Sequence, residues 1–172
     1  MRLAALETLG CLAAMAGIST NVLATELSVR DGGVDAILGE IRRPGAKAVL
    51  VNVWASWCDP CRAEMPGLLK FFREHNGEGL RLVLVSVDDA ANRDKVVGFL
   101  AAQGVDFVTW MRLGDDMTFI NALDPKWSGA LPASFLFDGR GRFKQSWYGE
   151  ANHDVLKAAW DRLAPRRKGK AP

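Results

Sequence analysis

Two cysteines three positions apart, Cys58 and Cys61, are the residues of this chain best suited to chemistry. They stand in Trp57-Cys58-Asp59-Pro60-Cys61, after an apolar run and at the start of a helix-like pattern. A sulfur at a helix start faces unpaired backbone N–H groups and the positive end of the helix dipole, both of which favour an anion. Cys58 is therefore expected to be thiolate-rich, and the thiolate is the form that attacks a disulfide. Cys61 lies one turn further on the same side and can reach back to close an intramolecular disulfide. Pro60 is tolerated because the first turn does not need its missing N–H.

Other uses of the pair make different demands. Zinc takes four ligands, at least three of them from protein. Apart from Cys11, the chain offers only His75 and His153, both distant in sequence. A purely structural disulfide would close so small a loop that it removes little entropy from the unfolded chain. Two thiolates also suit a soft ion such as Cu(I), so a copper-delivery protein stays open as an alternative. The expectation is no resident metal and no cofactor.

The elements that must position the pair follow from apolar patterning. Lys47–Trp54 is a nearly continuous β-branched and apolar run, the pattern of a strand buried on both faces. Pro60–His75 reads as a helix with Leu68, Leu69, Phe71 and Phe72 on its apolar face, stopped by Asn76-Gly77. Leu80–Val87 is a second buried strand. Asp89–Gln103 is a second helix, with Val96, Val97, Phe99 and Leu100 inward and Gly104 after its end. Val105–Thr109 is a short strand candidate and Asp115–Leu123 a short helix. Ser134–Phe137 and Arg142–Tyr148 are strands joined by the turn Asp138-Gly139-Arg140-Gly141. Asn152 caps a final helix to Leu163, with Val155, Leu156, Ala159 and Trp160 on one face. Alternating units followed by a hairpin argue for an α/β domain, with a mixed central sheet and helices on both faces.

Composition is that of an ordinary globular domain. Of 172 residues, 49% are apolar and 24% charged, which excludes disordered and collagen-like chains. The net charge of +2 argues against a large acidic partner such as nucleic acid. Residues 1–24 have Arg2 near the amino terminus, an apolar run from Thr8 to Ile18 and the ending Val22-Leu23-Ala24. This is the form of a secretory signal peptide, with an uncleaved membrane anchor as the alternative. The division expected is residues 1–24 as signal, 25–165 as one domain and 166–172 as a basic tail. Removal of the signal would leave only Cys58 and Cys61, in an oxidising compartment where a cysteine pair can cycle.

The segment from Val51 to Pro66, with Trp54-Ala55-Ser56-Trp57-Cys58-Asp59-Pro60-Cys61-Arg62-Ala63-Glu64-Met65-Pro66 at its centre, resembles the active-site stretch of the TlpA-like thioredoxin-fold family, of ResA and CcmG/DsbE type. A second resemblance lies in Ala130-Leu131-Pro132-Ala133-Ser134-Phe135-Leu136-Phe137-Asp138-Gly139. The match covers residues 50–150. It implies a thioredoxin fold with a TlpA-like insertion, and a periplasmic protein thiol-disulfide oxidoreductase linked to cytochrome c maturation or metal-site assembly. By this resemblance Cys58 is the attacking cysteine and Cys61 the resolving one. Pro132 is the cis-proline facing them, with Leu131 presenting backbone groups to an extended substrate. Glu64, one turn past Cys61, is implied to be a half-buried carboxyl that exchanges protons with Cys61. Trp57 is an exposed ring able to dock partners. Asn52 stands where ordinary thioredoxins carry a buried aspartate, which leaves proton transfer to Glu64 or water. Gly114–Ser128 departs from the family pattern, so substrate preference is expected to differ there. Trp110, Trp127 and Trp147 are expected to pack in the core or at its rim.

Asp59, between the cysteines, opposes the helix dipole and disfavours a nearby thiolate. It pushes the pair toward the reducing end of the thioredoxin-fold range. The function expected is reduction of a disulfide-containing protein, and the resemblance implies an upstream membrane thiol-disulfide donor for re-reduction. A docking module that performs no exchange is a further alternative, although it would need neither the pair nor Glu64.

Overall fold

The computed structural model describes residues 27–164. The signal segment, Cys11 and the basic tail lie outside the described residues. The elements are β1 (Ser28–Gly32), α1 (Val34–Arg42), β2 (Ala48–Trp54), α2 (Asp59–His75), β3 (Leu80–Ser86) and α3 (Arg93–Ala102). They continue with β4 (Val108–Arg112), α4 (Asp116–Leu123), β5 (Ala133–Asp138), β6 (Phe143–Tyr148) and α5 (His153–Leu163). The strands make one sheet in the order β1-β4-β3-β2-β5-β6. The first four of these run parallel, and β5 and β6 are antiparallel to their neighbours. The chain thus has the mixed sheet and two helical layers that its patterning implies.

Strand β2 shows how the sheet sorts its side chains. All seven of its residues are buried, and successive residues point to opposite faces. Val49, Val51 and Val53 join the core beneath α1 and α4, with Ile37, Phe119, Trp127 and Phe135. Ala48, Leu50 and Trp54 join the other core, beneath α2, α3 and α5, with Leu69, Leu100 and Trp160. Asn52 falls on that second face by the same alternation. A polar residue is thereby aimed at α2 from the middle of the sheet.

Several elements differ from the patterning, each for a local reason. β1 and α1 have no counterpart in the apolar patterning. β1 is an edge strand, Ser-Val-Arg-Asp-Gly, with mostly exposed or half-buried side chains. β4 begins at Val108 rather than Val105. Gly104, in the left-handed region at φ 67°, reverses the chain after α3, and Val105 N–H still bonds to the Leu100 carbonyl at 3.1 Å. The ladder with β1 therefore starts only at Ser28 opposite Val108. α2 is stopped not by Gly77 but by a 3-10 turn over Asn76–Glu78 and then Gly79 at φ 104°. Val97 and Val155 face outward, because the buried seams run through Val96 and Leu100 on α3 and through Leu156, Ala159 and Trp160 on α5.

Candidate active site

β2 ends at Trp54, and four residues later α2 begins with Cys58 as its N-cap. Cys58 and Cys61 are joined by a disulfide of 2.05 Å, with 5.3 Å between their Cα atoms. Cys58 Sγ also accepts the backbone N–H of Cys61 at 3.3 Å, as expected of a sulfur at a helix start. The two sulfurs are not equivalent. Cys58 keeps a small accessible edge (6%) and lines a cavity, whereas Cys61 has none (0%). Pro60 stands in the first turn of α2. Asp59 projects into solvent, its carboxylate 3.8 Å from Arg62 Nη1. Trp57 is the most exposed large apolar residue described, at 64%.

The cavity beside Cys58 measures about 760 Å³. Trp57 and Cys58 form one wall, and Leu131 another. The Leu131–Pro132 peptide bond is cis, as the resemblance implies, and the Pro132 carbonyl accepts Gly149 N–H at 2.8 Å. The far wall is the segment that departs from the family pattern. α4 supplies Met117 and Ile120, and Trp127 follows. Trp127 is buried, its Nε1–H donates to the Ala130 carbonyl at 2.8 Å, and its ring meets Phe119 and Phe135 edge-on. Its core position agrees with the sequence reading, yet one edge still borders the cavity. Trp110 and Trp147 are half-buried packing residues.

Glu64 is buried, more deeply than the half-buried carboxyl that the resemblance implies. Its Oε1 accepts from Asn52 Nδ2 at 2.7 Å and its Oε2 from Ala151 N–H at 3.0 Å. Burial dominates its electrostatics and pushes its carboxyl above the usual carboxylate range. The hydrogen bonds from Asn52 and Ala151 work against that rise, and the nearby Glu150 charge adds to it. A carboxyl so placed can hold a proton at pH values where an exposed one would not, which fits proton exchange with a thiol. Asn52 also donates to Ser134 Oγ at 3.1 Å, across the β2–β5 ladder.

One participant carried no signal in the sequence. Asp88, just beyond β3, is buried, and its carboxylate accepts three hydrogen bonds. They come from Ser56 N–H at 2.7 Å, Ser56 Oγ at 2.6 Å and Ser86 Oγ at 2.7 Å. Ser56 directly precedes Trp57 and Cys58, so this carboxylate holds the loop that presents both. A hydrogen-bonded cluster spanning Ser56 to Asp88 could not be inferred from spacing. His75 and His153, by contrast, both lie against the Phe71 ring, and His75 also meets Trp160 of α5.

Comparison with known proteins places this arrangement. The AhpC/TSA family model matches residues 23–146. The thiol:disulfide interchange protein HelX of Rhodobacter capsulatus is 34% identical over 132 residues, covering 76% of this chain and 69% of HelX. The thiol:disulfide interchange protein DsbE of Escherichia coli is 32% identical over 122 residues, covering 69% of this chain and 60% of DsbE. The crystal structure of a thioredoxin-related protein from Neisseria meningitidis serogroup B superposes with a TM-score of 0.59 at 27% identity, covering 69% of this chain and 85% of that one. With a closed Cys58–Cys61 pair at a helix start and these relatives, the chain belongs to the AhpC/TSA family and is similar to its thioredoxin-fold, thiol:disulfide interchange members.

Proposed function

We propose that this protein reduces disulfides in partner proteins of the periplasm, in the manner of cytochrome c maturation or metal-site assembly. The observation that carries the reading is the unequal pair beside a buried carboxyl. One sulfur borders a cavity, the other is sealed, and Glu64 stands one helical turn behind the sealed one. Cys58 thiolate attacks one sulfur of a partner disulfide, and the other partner sulfur leaves as a thiolate that takes a proton. Cys61 gives its proton to Glu64 and attacks Cys58 Sγ. The partner's second sulfur leaves, and two electrons have passed from the cysteine pair to the partner. Trp57, Asp59, Pro60 and Leu131 bound the surface that receives the partner chain, and Pro132 orients Leu131.

Direction follows from charge. Asp59 lies at the mouth of the site and disfavours the Cys58 thiolate, which makes the reduced pair the better electron donor. Such a donor needs re-reduction, and a membrane thiol-disulfide transporter would supply it. Export of the chain would use residues 1–24. Copper delivery by the same two thiolates is the second reading, favoured only by the softness of the ligands.

Trapping tests the reading. Cys61→Ser, reduced and exposed to a periplasmic extract, should accumulate a disulfide-linked partner on Cys58, while Cys58→Ser should capture none. A redox titration of the parent should give a potential below about −200 mV. Failure of Cys61→Ser to trap any partner, or a potential well above that value, would refute the reductase. Tight equimolar Cu(I) binding without disulfide reduction would establish the alternative.

A further inference from the structure

Asn52 has no exposed surface and sits at the centre of the sheet, on the face that meets α2. Its side-chain amide offers two donors and an acceptor oxygen with two lone pairs. Both donors are in use, toward Glu64 Oε1 and Ser134 Oγ. Its Oδ1 is buried and has no hydrogen-bond partner among the described residues. A buried amide oxygen without a donor is unfavourable, so something must offset it. The offset is at the other end of the amide, where Nδ2–H donates to a buried carboxylate in a charge-assisted hydrogen bond.

That bond suits only one protonation state of Glu64. When the carboxyl takes a proton it needs an acceptor. Its Oε2 faces the Ala151 backbone N–H, a donor that cannot turn. Its Oε1 faces Asn52, whose amide can. Half a turn about the terminal side-chain bond exchanges Nδ2 and Oδ1 at nearly the same positions. Oδ1 then lies between Glu64 and Ser134 and can accept from both, since a serine hydroxyl rotates freely between donor and acceptor roles. Nδ2 takes the unpartnered place. Each orientation leaves one amide atom unsatisfied, Oδ1 in the observed one and Nδ2 in the turned one, so the charge on Glu64 decides between them.

We propose that Asn52 is a positioning residue whose amide follows the charge of Glu64, donating to the ionised carboxylate and turning to accept from the protonated carboxyl. The proton balance is simple: Cys61 loses a proton, Glu64 gains it and the amide carries none. The amide lowers the barrier to that transfer by being favourable toward Glu64 at both ends of it. The other charge facing Glu64 is that of Glu150, which acts on the carboxyl in either orientation. The role rests on the exchange reaction proposed above, but its test needs neither a partner nor a free thiol.

The experiment is a pH titration by NMR of the oxidised full chain, with carboxyl-13C glutamate and side-chain-15N asparagine labels. The Asn52 side-chain amide resonances should move with the same midpoint as the Glu64 carboxyl, and Glu64→Gln should abolish that movement. Asn52→Leu should raise the Glu64 midpoint by about one pH unit, tenfold in proton affinity, because the hydrogen bond lost to the ionised carboxylate is stronger than the one lost to the protonated carboxyl. A merely structural asparagine would lower the melting temperature and leave the midpoint in place. Asn52 resonances that stay flat while Glu64 titrates would overturn the proposal, and that observation on the parent protein stands even if Asn52→Leu does not fold.

Discussion

Removal of the Asp88 carboxylate is the sharpest test of how the active-site loop is held. In Asp88→Ala, Ser56 N–H, Ser56 Oγ and Ser86 Oγ all lose their acceptor. The backbone N–H cannot turn elsewhere, and leaving it unpaired costs about 1–3 kcal/mol. The hydroxyls can rotate, so each loses about 1 kcal/mol, the net worth of an ordinary hydrogen bond. Relief from burying a carboxylate offsets part of the sum. The expected loss is about 3 kcal/mol, read as a fall in urea midpoint of the oxidised protein at unchanged m-value. Asp88→Asn keeps one oxygen and should lose roughly half as much. Because Ser56 leads into Trp57 and Cys58, Asp88→Ala should also slow reduction of a protein disulfide well below its melting temperature. If Asp88→Ala stays within about 0.5 kcal/mol of the parent, the range of a neutral surface change, the loop is not held by this carboxylate.

Three other outcomes follow from the same geometry. Burial raises the folded-state pKa of Glu64, so ionising it disfavours the folded protein. Stability of the oxidised parent should fall as pH rises from the ordinary carboxyl range through the raised value, with a limiting slope of about 1.4 kcal/mol per pH unit. Glu64→Gln should lack that fall in urea titrations run across pH, and a parent whose stability rises there contradicts the assignment. Trp57→Ala removes an exposed ring, so stability should change by less than about 0.5 kcal/mol. Its kcat/KM should drop for a protein disulfide and not for a small aromatic disulfide, and equal drops would argue against docking. Gly139→Ala places a Cβ 2.2 Å from the Ala46 carbonyl oxygen, a backbone atom that must move. Calorimetry should show a loss of about 1–3 kcal/mol, with exchange activity at low temperature unchanged.

What the sequence displayed and what it hid divide along physical lines. The run Lys47–Trp54, the helix start at Cys58 and the Asp138–Gly141 turn each carry a local signature, and each lies where that signature implies. β1 and α1 have weaker local signals. The strand is a mostly exposed edge, and α1 opens at Gly33 without a side-chain cap. The pair Cys58 and Cys61 was legible because its chemistry depends on a spacing of three along one helix. Asp88 and its serines were not, because their meeting depends on the parallel pairing of β2 with β3. Asn52 was visible as a polar residue in an apolar strand. That it bonds to Glu64 needed the direction of its side chain, which the sheet decides.

The difference in access between the two sulfurs has a consequence for damage as well as for catalysis. A foreign thiol or disulfide arriving from solvent meets Cys58 first, and in the exchange proposed above Cys61 stands behind it as the internal thiol that displaces it. Mixed disulfides with bulky thiols therefore form on the sulfur whose neighbour can displace them.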